Sequence, residues 1–119
     1  MRAIVVFWDP EDARWQWALK PGFRHVFCVI VQGPYWITVD SRMALPVVEV
    51  VTGADYNLAA HYRQEPGFTV VEWDREPKPW RTPFVVAHCV GLTKAILGIR
   101  APFAQSPYQL FRHLTKGQT

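Results

Sequence analysis

The segment from Arg24 to Asp40 constrains the fold more than any other part of the chain. It opens with an apolar run, Val26-Phe-Cys-Val-Ile-Val31, and continues past a Gly-Pro pair into Tyr35-Trp-Ile-Thr-Val-Asp40. Two β-branched and aromatic runs around a short glycine-bearing turn read as an antiparallel hairpin. Strands are therefore expected over 23–32 and 35–40, with the chain reversing at Gln32-Gly-Pro-Tyr35. Side chains alternate along a strand. His25 thus shares a face with Phe27, Val29 and Val31, while Cys28 points the other way with Val26 and Ile30. With Gly33 and Pro34 as the two loop residues, 32 faces 35 and 27 faces 40. His25 and Asp40 then become diagonal neighbours on one face, about 7–8 Å apart. A four-residue loop keeps this parity, and a three-residue loop reverses it.

Further strands are expected at 2–8, 46–52 and 68–73. Residues 11–19 read as a short helix or an irregular arm, and Pro21-Gly22 as a turn. Residues 55–64 read as a short helix with Asp55 as a possible cap, stopped by Pro66-Gly67. The stretch 74–83, with Pro77, Pro79 and Pro83, reads as a loop. A helix follows from Cys89 to about Gly98, a glycine placed to end it. Ser106-Pro-Tyr-Gln109 has the pattern of a capping box for a last helix to Leu114. Strands come first and helices last, so the expected class is α+β with a mostly antiparallel sheet. At 119 residues the chain reads as a single domain over 1–119.

Composition excludes several classes. Half the residues are hydrophobic and 19% are charged, which is the balance of a globular chain. The formal charge is +3, and no block of five or six basic residues occurs. With Lys and Arg read as scattered between acids, this argues against a nucleic-acid partner. No apolar run reaches 18 residues, so no membrane span is expected. The apolar stretch after Met1 meets Asp9-Pro10 at once and reads as a strand, not a signal peptide. Two cysteines, Cys28 and Cys89, give no disulfide framework and read as reduced thiols.

Cys89 opens its helix. There the unpaired N–H groups and the positive end of the dipole favour a thiolate, and the same N–H groups can hold an oxyanion. The competing reading is a core thiol, because Cys89, Leu92, Thr93 and Ile96 line up at helical spacing. His25 is a candidate base for Cys89, and Asp40 a candidate orienter of its imidazole, with Thr38 a weaker alternative. Asp40 also reads as an ordinary strand-end acid, and His25 as an ordinary strand-edge histidine. Cys28 reads as a small buried hydrophobe. His88 projects about 100° round the helix from Cys89 and reads as flanking. His61 and His113 read as surface residues. Trp36, Trp73, Trp80 and the proline-rich loop are candidates for lining a groove, with core or rim packing as the alternative. No metal-ligand spacing or phosphate-binding glycine loop occurs, so neither metal nor cofactor is expected.

A strand-borne histidine, a next strand ending in a polar residue, and a cysteine opening a later helix follow the order His25, Asp40, Cys89. This order resembles the circularly permuted papain-like thiol hydrolases, relatives of the NlpC-type cell-wall peptidases that include the lecithin:retinol acyltransferase group. Over nearly its full length the chain also resembles short phage and prophage proteins. The matching stretches are Gly22–His25, Trp36–Asp40, Cys89–Arg100 and Ser106–Arg112. The first resemblance implies a permuted papain-like fold with Cys89 as nucleophile, His25 as base and Asp40 as the third polar residue. The acyltransferase group carries a histidine at the third position, so Asp40 departs from its pattern. The chain also lacks the hydrophobic tail of the membrane-bound members. The implied activity is hydrolysis of an amide or acyl bond in a peptide or peptidoglycan-like substrate. The setting would be a bacterial cytoplasm or a phage particle. Alternatives are a thiol acyltransferase and a non-enzymatic phage particle or assembly component.

Overall fold

The computed structural model describes residues 1–10, 20–42, 45–76, 89–101 and 103–116. The elements are β1 (Arg2–Trp8), β2 (His25–Gln32), β3 (Tyr35–Arg42), β4 (Leu45–Gly53), α1 (Leu58–Gln64), β5 (Thr69–Asp74), α2 (Cys89–Leu97) and α3 (Pro107–Thr115). The strands form one antiparallel sheet in the order β4-β3-β2-β1-β5. The class is therefore α+β with an antiparallel sheet.

Period-2 alternation divides the sheet between two cores. Ala3, Val5, Phe7, Val26, Cys28, Ile30, Val39 and Val71 face α2 and α3, meeting Val90, Leu97, Leu110 and Leu114. Ile4, Val6, Phe27, Val29, Trp36 and Val70 face α1, meeting Leu58 and Ala59. Both faces of β1 and β2 are covered, which is why these strands are continuously apolar instead of alternating. Each large aliphatic side chain buried this way contributes about 1.5–3 kcal/mol.

The β2–β3 hairpin has the two-residue turn. Gln32 pairs with Tyr35 and Cys28 with Val39. Gly33 has φ of +57°. Proline is locked near −65°, so Pro34 cannot supply the second positive φ of a type I′ turn. A glycine at the first central position fits type II′ instead. This turn sets the register that brings Asp40 beside His25.

Two boundaries differ from the sequence expectation, each for a local reason. β2 begins at His25 rather than 23, because the Asp9 carboxylate accepts the N–H groups of Gly22 (2.8 Å) and Arg24 (3.2 Å) and holds these residues out of the ladder. α1 begins at Leu58 with Asn57 as its cap, Asn57 Oδ1 accepting the Ala60 N–H at 3.1 Å. Asp55 instead lies in the turn after Gly53. The two later helices end and start on the expected signals. Gly98 takes φ of +67° after α2, and the Ile99 N–H closes back on the Lys94 carbonyl at 2.9 Å, a Schellman closure. Ser106 and Gln109 form the reciprocal capping box of α3. The expectations for residues 11–19, for 77–83 and for His88 lie outside the described residues.

Candidate active site

The site lies where β2 starts, β3 nears its end and α2 starts. His25 is the first residue of β2, and its Cα partner across β1 is Trp8. The Trp8 ring meets the imidazole edge-on, with centroids 6.2 Å apart. Extending the hairpin register from Cys28–Val39 puts Asp40 opposite Phe27, diagonal to His25. The two side chains close that diagonal with a bond of 2.7 Å between His25 Nε2 and Asp40 Oδ1. Both residues are buried, at 9% and 6% exposure. The Ser41 N–H donates to the same carboxylate oxygen at 2.7 Å. Asp40 is therefore held by its own backbone as well as by the ring it faces.

Asp40 occupies Nε2, and the Cys89 side chain lies close enough to act on the same imidazole. Burial alone pushes the imidazole pKa down. The bond to Asp40, the interaction with Cys89 and the charges of both groups outweigh burial and raise it from 6.5 to about 9. At neutral pH the ring thus carries both protons, with Nε2–H donated to Asp40. Cys89 is partly exposed, and its backbone opens the nine-residue helix α2. Of the residues singled out from the sequence, His25 and Asp40 are hydrogen-bonded to each other, and Cys89 lies near the same imidazole.

The rival candidates are placed elsewhere. Cys28 is fully buried in the core facing α2 and α3, and burial, reinforced by the Asp40 charge, pushes its thiol up to about 12. Thr38 is hydrogen-bonded to the Tyr62 phenol, so its hydroxyl serves α1 packing. Burial raises the Tyr62 pKa, the Thr38 bond offsets part of that rise, and the Asp40 charge adds to it. His61 is exposed and meets the Tyr56 hydroxyl through Nδ1 at 3.2 Å. Trp36 and Trp73 together line a cavity of about 190 Å³ with Arg2, Ala59 and Glu72, a cavity that His25 does not line. Trp36 is 1% exposed, and its Nε1–H donates to the Tyr56 carbonyl at 3.0 Å. Trp73 is half-buried on β5, with Arg75 stacked over its ring. Trp80 lies outside the described residues. Among the described residues no group of three His, Cys, Asp or Glu could hold a metal. No helix among them is long and apolar enough to cross a membrane.

One contributor was missed in the sequence. Asp9 follows Trp8 and reads there only as a strand stop. Besides the two backbone N–H groups it accepts, it pairs with Arg24 Nη1 at 3.2 Å. These contacts clamp the residue immediately before His25. No signal in a single sequence links Asp9 to positions 13 and 15 residues away. No protein-family model, curated protein or solved structure matches the chain.

Proposed function

We propose that the protein is a cysteine hydrolase acting on an amide or related acyl bond, with Cys89 as nucleophile, His25 as acid–base and Asp40 as orienter. The supporting observation is a single imidazole bonded to a buried carboxylate through Nε2, with the helix-start thiol close enough to help raise its pKa. Attack requires the thiolate form of Cys89, which a neighbouring imidazolium at His25 favours by charge. The thiolate attacks the substrate carbonyl carbon, forming a C–S bond while negative charge moves to the oxygen. In this reading the unpaired N–H groups of the first turn of α2 receive that oxygen. Collapse of the adduct breaks the bond to the leaving amine or alcohol, which takes its proton from His25. Neutral His25 then deprotonates a water. This water cleaves the thioester, releases the acid and restores the thiolate–imidazolium pair.

The permuted papain-like arrangement, with histidine before cysteine in the chain, belongs to this reading. So does a cell-wall-type peptide as substrate, in a bacterial host or phage particle. The first test is alkylation by limiting iodoacetamide. Cys89 should label faster than Cys28, and His25→Ala should slow Cys89 alone. Equal labelling of the two thiols would remove the nucleophile. The second test compares muropeptide and acyl-ester turnover in wild type, Cys89→Ala and His25→Ala. Loss of His25 should cost about 10²–10⁴-fold, and Cys89→Ala should abolish turnover. Transfer to an added acceptor without net hydrolysis would make the protein an acyltransferase. Fast labelling with no turnover on either substrate class would count against the substrates named, not against the thiol.

A further inference from the structure

The reading of Lys and Arg as scattered between acids, which argued against a nucleic-acid partner, fails beyond residue 76, where the charge is segregated. Residues 1–76 hold all ten acids, against seven of the thirteen Lys and Arg. Residues 77–119 hold the other six Lys and Arg and no acid. The first part is net acidic, and the part containing α2 and α3 is wholly basic. A net charge of +3 hides this division, and such asymmetry between parts of a chain points to a polyanionic partner.

The structure gives that basic part a concave feature. A cleft of about 460 Å³ lies on α3 and is lined by Phe103, Gln109, Arg112, His113, Thr115 and Lys116. No acid lines it. Arg112 and Lys116 are exposed and make no ion pair among the described residues. Phe103 is 64% exposed and stands edge-on to His113, with centroids 5.5 Å apart. Cations in the last turn of a helix ordinarily complement its dipole, which accounts for Arg112 and Lys116 singly. It does not account for a bare phenyl ring beside them.

We propose that this cleft binds single-stranded nucleic acid, one base stacking on Phe103 and the flanking phosphates meeting Arg112 and Lys116. Stacking on an aromatic face beside a basic groove is the sequence-tolerant way to hold a single strand. A concave pocket of this volume suits a splayed nucleotide better than a flat bilayer. An acidic peptide would use the cations but leave the ring idle. The cleft is separate from Cys89, His25 and Asp40, so the inference stands or falls independently of the hydrolase reading.

The test is fluorescence anisotropy of a labelled oligothymidylate titrated with the full chain at low salt. Binding is expected. With two phosphates neutralised, it should weaken about sevenfold between roughly 50 and 200 mM salt. Phe103→Ala should weaken it by about tenfold, and joint Arg112→Ala and Lys116→Ala should weaken it and flatten the salt dependence. Cys89 alkylation should be unchanged in both variants, which also reports that they fold. No binding at low salt, or binding indifferent to these substitutions, overturns the proposal. Equal binding of polyglutamate or phosphatidylserine vesicles that survives Phe103→Ala also overturns it, by showing that charge alone is read.

Discussion

His25 couples the site to stability, and its sign is fixed by the direction of its shift. The folded pKa lies at about 9, above the unfolded value of 6.5. The folded protein therefore binds the proton more tightly than the unfolded chain. The associated stabilisation is fully present below pH 6.5 and is lost as pH rises through about 9. A shift of this size corresponds to about 3 kcal/mol. Urea unfolding of wild type should show stability falling over this alkaline window, with a flatter profile in His25→Asn. A wild-type profile no steeper than the variant's would show that the imidazole gains nothing from Asp40 and Cys89. Strand parity and a two-residue turn were enough to put Asp40 beside His25 from sequence. The Cys89 contact was not derivable that way. It depends on where a helix start meets a strand end across 64 residues of chain, and no local periodicity encodes that distance.

Elements were legible where their signals are local. The capping box of α3 and the glycine closing α2 involve residues within five positions of each other. The cap of α1 was misplaced because Asp55 and Asn57 are both good cap residues, and only the backbone path decides which carboxyl or amide oxygen meets the Ala60 N–H. The start of β2 was misplaced because its cause is the distant Asp9. That clamp carries its own prediction. In Asp9→Ala the N–H groups of Gly22 and Arg24 lose their acceptor, and Arg24 loses its ion pair. The site is part-buried, so the expected destabilisation is about 1–3 kcal/mol. Cys89 alkylation should fall as well, because β2 then starts without a fixed first residue. Asp9→Asn retains an acceptor oxygen and should recover most of the alkylation rate without the ion pair. If Asp9→Ala lowered stability but left Cys89 reactivity intact, the clamp would serve the sheet and not the site.

Across the whole molecule, the strands, the β2–β3 pairing and α1 could be read from pattern, whereas the sheet order and the way the basic C-terminal part docks could not. Lys94 explains why. On a helix that reads as amphipathic, a lysine is assigned to the solvated face. Here it is 3% exposed, and its ammonium donates to the carbonyls of Ala101 at 3.1 Å and Ala104 at 2.8 Å. Burial lowers its pKa. The lysine thus ties α2 to the connection leading into α3, while Ile99, Ala101 and Ala104 pack into the core beneath it. Two substitutions separate the charge from the stem. Lys94→Met keeps most of the aliphatic volume but leaves two carbonyls without their donor, which should cost about 1–3 kcal/mol in chemical denaturation. Lys94→Ala also opens a void and should cost more, up to about 5 kcal/mol. Because the tie lies between the helix that presents Cys89 and the helix that carries the Phe103 cleft, amide exchange in both α2 and α3 should speed up in Lys94→Met. Faster exchange confined to α2 would mean that α3 is held by its own contacts with Phe7 and Phe23, and that the two helices dock on the sheet as independent units.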